Sequence, residues 1–114
     1  MANRQIIFYK HYFYEFYIEL KYDVRKQLTE VIKLVKIADQ IPVKFFRVIK
    51  NVKGLYEIRM EWEGNTYRVF CCFDKGNLVV LFQGFHKKSQ KTPQSQIIMA
   101  EKLMKEYFNN KDNG

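Results

Sequence analysis

VVLFQGFHKKSQKTP, residues Val79–Pro93, is the stretch from which the rest of the chain is read. Val79, Val80, Leu81 and Phe82 are strand formers. Gly84 lets the backbone bend or another group approach closely. His86, Lys87, Lys88 and Lys91 follow with no acid among them. Thr92-Pro93 then reads as the N-cap and first residue of a helix. A strand thus delivers a positive, imidazole-bearing loop to one edge of the fold. A solvated lysine loop has the same composition, so the flanking sequence has to decide what the loop serves.

Immediately upstream the sequence reads as sheet. Leu55–Trp62 alternates, with Tyr56, Ile58, Met60 and Trp62 on one face and Leu55, Glu57, Arg59 and Glu61 on the other. Glu63-Gly64-Asn65 supplies a hairpin turn, and Thr66–Phe73 is the return strand, with Arg68 breaking an apolar run. Asp74–Asn77 turns the chain into a third strand, Leu78–Phe85. Three hairpin-linked strands make an antiparallel meander. Downstream, Pro93–Asn109 is a terminal helix with apolar positions Ile97, Ala100, Met104 and Tyr107/Phe108, and Asn110–Gly114 is a polar, frayed end.

The N-terminal half is more helical. Arg4–Lys10 predicts a first strand, free to join a sheet edge, and His11–Lys21 has helical apolar spacing. Asp23 caps a second helix carrying Val24, Leu28, Val31, Ile32 and Val35, which Ile41-Pro42 ends. Pro42–Lys53 holds Lys44, Arg47, Lys50 and Lys53 without an acid and predicts a short helix followed by a loop, most of its bases near one face. The order β-α-α-β-β-β-α is that of an α+β fold.

At 114 residues and 47% hydrophobic, the chain has the material for one domain, residues 1–114. A net charge of +8 favours an anionic partner, with nucleic acid ahead of an acidic protein or a membrane surface. Cys71 and Cys72 are neighbours in a strand and point to opposite faces, which suits small residues of a reducing compartment better than a vicinal redox pair. No signal peptide is visible and no apolar run approaches the roughly 20 residues a membrane span needs, so a cytoplasmic protein with no membrane contact is expected.

An arginine inside an apolar strand is costly to bury unless paired. Arg59 and Arg68 therefore read in two ways, as ion pairs with Glu57 or Glu61 or as a phosphate site. In a meander the His86–Lys91 loop borders the same face, and two arginines with several lysines suit a polyanion. Phe85 and Tyr56 offer either core filling or a stacking surface for a base. His11 and His86 lack ligand partners at metal spacing, no phosphate-binding glycine loop or dinucleotide fingerprint is present, and no cofactor is expected.

The run from Gly54 to Tyr107 resembles the RelE/ParE superfamily of type II toxin–antitoxin toxins, and within it the HigB-like, phage-derived branch. The resemblance is carried by GLYEIR (Gly54–Arg59), YRV (Tyr67–Val69) and GFHKKSQKTP (Gly84–Pro93), with Ala100 and Tyr107 at the branch's A…Y positions. Gln96 stands where that branch commonly has Glu. The resemblance implies a small RelE-like fold: strand, helical hairpin, antiparallel sheet, C-terminal helix. It implies a metal-independent endoribonuclease that cuts mRNA in the ribosomal A site by attack of the 2′-hydroxyl on the neighbouring phosphate. It implies an antitoxin, often a helix-turn-helix protein, through which alone operator DNA is bound. Arg59 and Arg68, matched to family positions on the two strands, are expected to hold the phosphate, and Lys87, Lys88 and Lys91 to hold the backbone and neutralise charge. His86, at a position the branch does not fix, is the candidate proton donor by its chemistry, and Glu57 the candidate base. Lys91, Phe85, Tyr107, Lys50 and Lys53 contact RNA. Two alternatives remain: a toxin of the same fold that poisons DNA gyrase without being an enzyme, and an inactive basic RNA-binding module.

Overall fold

The computed structural model describes residues 2–87 and 92–113. Its elements are β1 (Gln5–Phe8), α1 (Tyr12–Ile18), α2 (Tyr22–Ile37), β2 (Phe46–Val48), β3 (Tyr56–Trp62), β4 (Asn65–Asp74), β5 (Leu78–Lys87) and α3 (Gln94–Asn113). The strands form one mixed sheet in the order β1-β5-β4-β3-β2. The expected meander is its antiparallel centre, and β1 joins the edge beside β5 in parallel. The fold is the expected α+β arrangement.

Alternation in β3 and β4 feeds two cores. Ile58, Met60, Val69 and Cys71 pack with Val24, Leu28, Val31 and Val35 of α2 on one face. Phe70, Cys72, Val80 and Phe82 pack with Ala100, Leu103 and Met104 of α3 on the other. The two cysteines are thus buried in separate cores as free thiols, and burial pushes the Cys72 thiol up to about 12. The β3–β4 turn is tight because Glu63 and Gly64 both take positive φ, 50° and 78°, as a two-residue hairpin demands. Gly84 serves close approach: a Cβ there would overlap the ring of Phe16 on α1.

Three boundaries differ from expectation. Pro42–Lys53 makes one turn (Phe45 N–H to the Pro42 carbonyl, 2.9 Å) and then the short edge strand β2, not a helix. The free edge of β3 supplies the ladder partners, and Phe46 and Val48 favour extended backbone. Second, α2 starts at Tyr22, so Asp23 lies inside its first turn and accepts from the Val24 N–H. It ends at Ile37, where the Arg4 guanidinium donates to the carbonyls of Val35, Ala38 and Asp39, cationic help suited to a helix C-terminus. Third, α3 runs through residues expected to fray: Asn110 donates to the Tyr9 hydroxyl, and Lys111 donates to buried Asp74 at 2.8 Å. Among the described residues no helix is long and apolar enough to cross a membrane.

Gly84→Ala is expected to destabilise the fold by about 1–3 kcal/mol, the usual cost of overpacking. Combined with Phe16→Ala, the loss should be clearly smaller than the sum of the two single losses, because the second change removes the overlap. Urea denaturation of the two single variants and the double checks this.

Candidate phosphate-binding cleft

Strand pairing sets the site. Arg59 on β3 lies directly opposite Arg68 on β4, and Glu57, two residues from Arg59, falls on the same face. That placement brings Glu57 diagonally onto Arg68. Arg68 Nη1 donates to Glu57 Oε1 at 2.6 Å, with only 3% of Arg68 and 6% of Glu57 exposed. Arg59 Nε stands 3.9 Å from the same oxygen. The other carboxylate oxygen, Oε2, accepts from the Thr92 hydroxyl at 3.4 Å. Thr92 thereby ties the start of α3 to the sheet, and Pro93, whose carbonyl accepts from the Gln96 and Ile97 N–H groups, takes the cap position expected of Thr92.

Around this pair lies a cleft of ≈ 750 Å³, walled by β2 and the loop after it, by β3 and β4, and by Thr92, Gln94 and Ile97 at the start of α3. Arg47, Lys50, Arg59 and Arg68 line it against Glu57 and Glu61, an excess of cations. The Nε atoms of Arg59 and Arg68 are buried without a hydrogen-bond partner among the described residues. Burial lowers the pKa of Arg59, and Arg47 lowers it further. Burial also lowers Arg68, Glu57 offsets part of this, and Arg59 and Arg47 add to it. Like charges crowded into a low-dielectric pocket leave an unmet demand for an anion, and partner-free Nε donors meet a tetrahedral oxyanion well. The N-terminal end of α3 favours the same charge.

The structure sorts the expected site residues. Glu57, Arg59, Arg68 and Lys50 come together in the cleft. Phe85 pairs opposite Arg68, but its ring is half-buried and stacked on Phe70, with centroids 5.6 Å apart. Tyr56 packs between Phe46 and Phe73, partly buried against the α2-side core and on the opposite face from the arginines. Lys53 is not part of the cleft lining. Tyr107 lies at the other end of β4, where its hydroxyl donates to Asp74 at 2.7 Å. Burial and that bond push its pKa up to about 12. Lys88 and Lys91 lie outside the described residues. Lys87 contributes backbone to the end of β5, paired with Thr66.

His86 is the main correction. Simple alternation from Val80 and Phe82 places it on the arginine face. Between the pairs Cys71–Leu81 and Val69–Gly84, however, one β4 residue, Phe70, faces two on β5, Phe82 and Gln83. This β-bulge reverses the parity of everything after it. His86 therefore stacks on Tyr67 on the opposite face and bonds through Nε2 to Asn65 Oδ1 at 3.0 Å. Arg47 is what the sequence reading left out. It was visible as a base in an acid-free run, and only its assignment to a helix hid its alignment with Glu57.

These features define an α+β protein whose sheet carries a cation-rich cleft. A family model for phage-derived Gp49-like proteins matches residues 15–105, and the chain belongs to that family, a RelE-like toxin family. Among solved structures it is similar to the toxin–antitoxin complex RelBE2 from Mycobacterium tuberculosis, at 15% identity and a TM-score of 0.49, covering 78% of this chain and 97% of that one. No curated protein sequence matches significantly.

Arg68→Ala should cost about 3–5 kcal/mol of stability, because it strands a buried carboxylate, whereas Arg59→Ala, whose partner is 3.9 Å away, should cost under about 1 kcal/mol. Thermal unfolding of the two variants compares them. Equal losses would contradict the pairing described.

Proposed function

We propose that this chain is the toxin of a type II toxin–antitoxin system, in the HigB-like branch, and acts as an endoribonuclease on mRNA at the ribosomal A site. The observation that carries the reading is the pair of buried arginine Nε donors that have no hydrogen-bond partner among the described residues, in a cation-rich cleft. An RNA strand supplies its own nucleophile. The 2′-oxygen forms a bond to the adjacent phosphorus as the P–O5′ bond breaks, leaving a 2′,3′-cyclic phosphate and a 5′-hydroxyl. One proton leaves the 2′-hydroxyl and one reaches the departing oxygen. The protein's largest contribution is stabilisation of the extra charge on the phosphoryl oxygens.

In this reading Arg59 and Arg68 receive those oxygens, and Arg47 and Lys50 hold the flanking backbone. Glu57 has one oxygen taken by Arg68 and the other by Thr92, so it positions Arg68 rather than accepting the 2′-proton. His86, across the sheet from the cleft, is given no part. Lys87, at the end of β5, and Lys88 and Lys91, which follow it in sequence, add further positive charge. The partners are mRNA on the ribosome and a cognate antitoxin, with the chain acting in the cytoplasm as a single domain.

Arg47 is exposed and Arg59, only partly buried, has its nearest carboxylate 3.9 Å away, so the double variant Arg47→Ala/Arg59→Ala is expected to keep the fold while stripping the cleft. Induced expression of the wild type is expected to arrest growth, and the folded double variant is expected to lose this, with mRNA cleavage in a translating extract reduced about 100-fold or more. Full toxicity of a folded double variant would overturn the assignment. Growth arrest by the wild type without mRNA cleavage would point to gyrase instead.

A further inference from the structure

We propose that a second cleft, on the α1/α2 side of the same sheet end, binds an organic cation: a guanidinium or a primary ammonium group. The cleft encloses ≈ 580 Å³ and is lined by Trp62, Tyr67 and His86 together with the carboxylates of Glu19, Asp23 and Glu63. Tyr67 and His86 are stacked, with centroids 4.8 Å apart and planes inclined by 16°. Trp62 is fixed because its indole N–H donates to Asp23 Oδ2 at 3.1 Å. That bond, with the Val24 N–H on the other Asp23 oxygen, keeps the carboxyl ionised by lowering its pKa.

The charge here runs against the rest of the molecule. The chain carries +8 overall, yet among the described residues this cleft is lined by three acids, Glu19, Asp23 and Glu63, and by Lys21 as its one lysine or arginine. Nucleic acid is repelled by such a rim. A cation is drawn to it, and aromatic rings beside carboxylates are what a guanidinium or ammonium group binds best, through the ring face and through charge-assisted hydrogen bonds. The bulge in β5 creates the arrangement by moving His86 out of the arginine cleft and onto Tyr67. The inference stands independently of the nuclease reading. The cation can come from a free polyamine or from an arginine or lysine side chain of a protein.

Trp62 is the chain's only tryptophan, so its fluorescence reports on this cleft. The full chain would be titrated with spermidine, with an arginine-containing tetrapeptide and with uridine monophosphate. The same titrations on Glu19→Gln/Glu63→Gln, both exposed positions, complete the test. A saturable change with a cation, about five-fold or more weaker in the double variant and absent with the nucleotide, is expected. Tighter binding of spermidine would assign the free polyamine, and tighter binding of the peptide a protein side chain. No saturable change with either cation, an undiminished response in the variant, or saturation by the nucleotide instead would overturn the proposal.

Discussion

Arg68 and Glu57 meet at 2.6 Å between β3, β4 and the start of α3, almost wholly removed from water. Neither charge is tolerable there alone, since burial of an unpaired ion costs several kcal/mol. Their contact therefore fixes how β4 sits against β3, and through Thr92 it also fixes where α3 begins. Such pairs are seldom the most stabilising filling for a core, and an apolar pair of similar volume often serves stability as well. Their use is positional. Glu57 satisfies one nitrogen of Arg68 and leaves Nε open, and it leaves Arg59 near but not joined. The result is a cleft whose cations are only half answered by the described residues.

That incompleteness connects the fold to the proposed chemistry. Burial lowers the basicity of Arg59 and Arg68; Arg47 lowers both further and Arg59 lowers Arg68, and Glu57 offsets only part of this. A phosphate entering the cleft relieves that repulsion, and a phosphorane-like state with more charge on the same oxygens relieves it further. The far end of α3 plays a different part. Buried Asp74, accepting from Lys111 and from Tyr107, holds the helix along its length, so its first turn stays over the arginines.

Much of this was legible in the sequence. Period-two alternation in Leu55–Trp62 placed Glu57, Arg59 and Glu61 on one face, and the turn residues fixed the hairpins. The helical spacing of α2 and α3 gave both cores. Two features were not legible, for physical reasons. A β-bulge has no composition of its own. One extra residue opposite Phe70 exchanged the faces of Phe85 and His86, separating the histidine from the arginines. The second was β2: three residues at an edge are too short for periodicity to register, and the three-residue spacing of Lys44, Arg47 and Lys50 imitates a helix. The unfilled edge of β3, a tertiary requirement, decided it.

The arginine side-chain Nε–H groups themselves offer the most direct measurement. A proton–nitrogen correlation spectrum of the full chain, recorded with a short RNA protected by 2′-O-methyl groups, reads each guanidinium separately, and an aromatic proton–carbon spectrum of the same sample reads the Tyr67 and His86 rings. The account predicts that the Arg59 and Arg68 Nε–H signals shift and saturate together, while the Tyr67 and His86 ring signals stay in place. Movement of the His86 and Tyr67 signals with the two arginines unmoved would place RNA on the opposite face of the sheet and contradict the account.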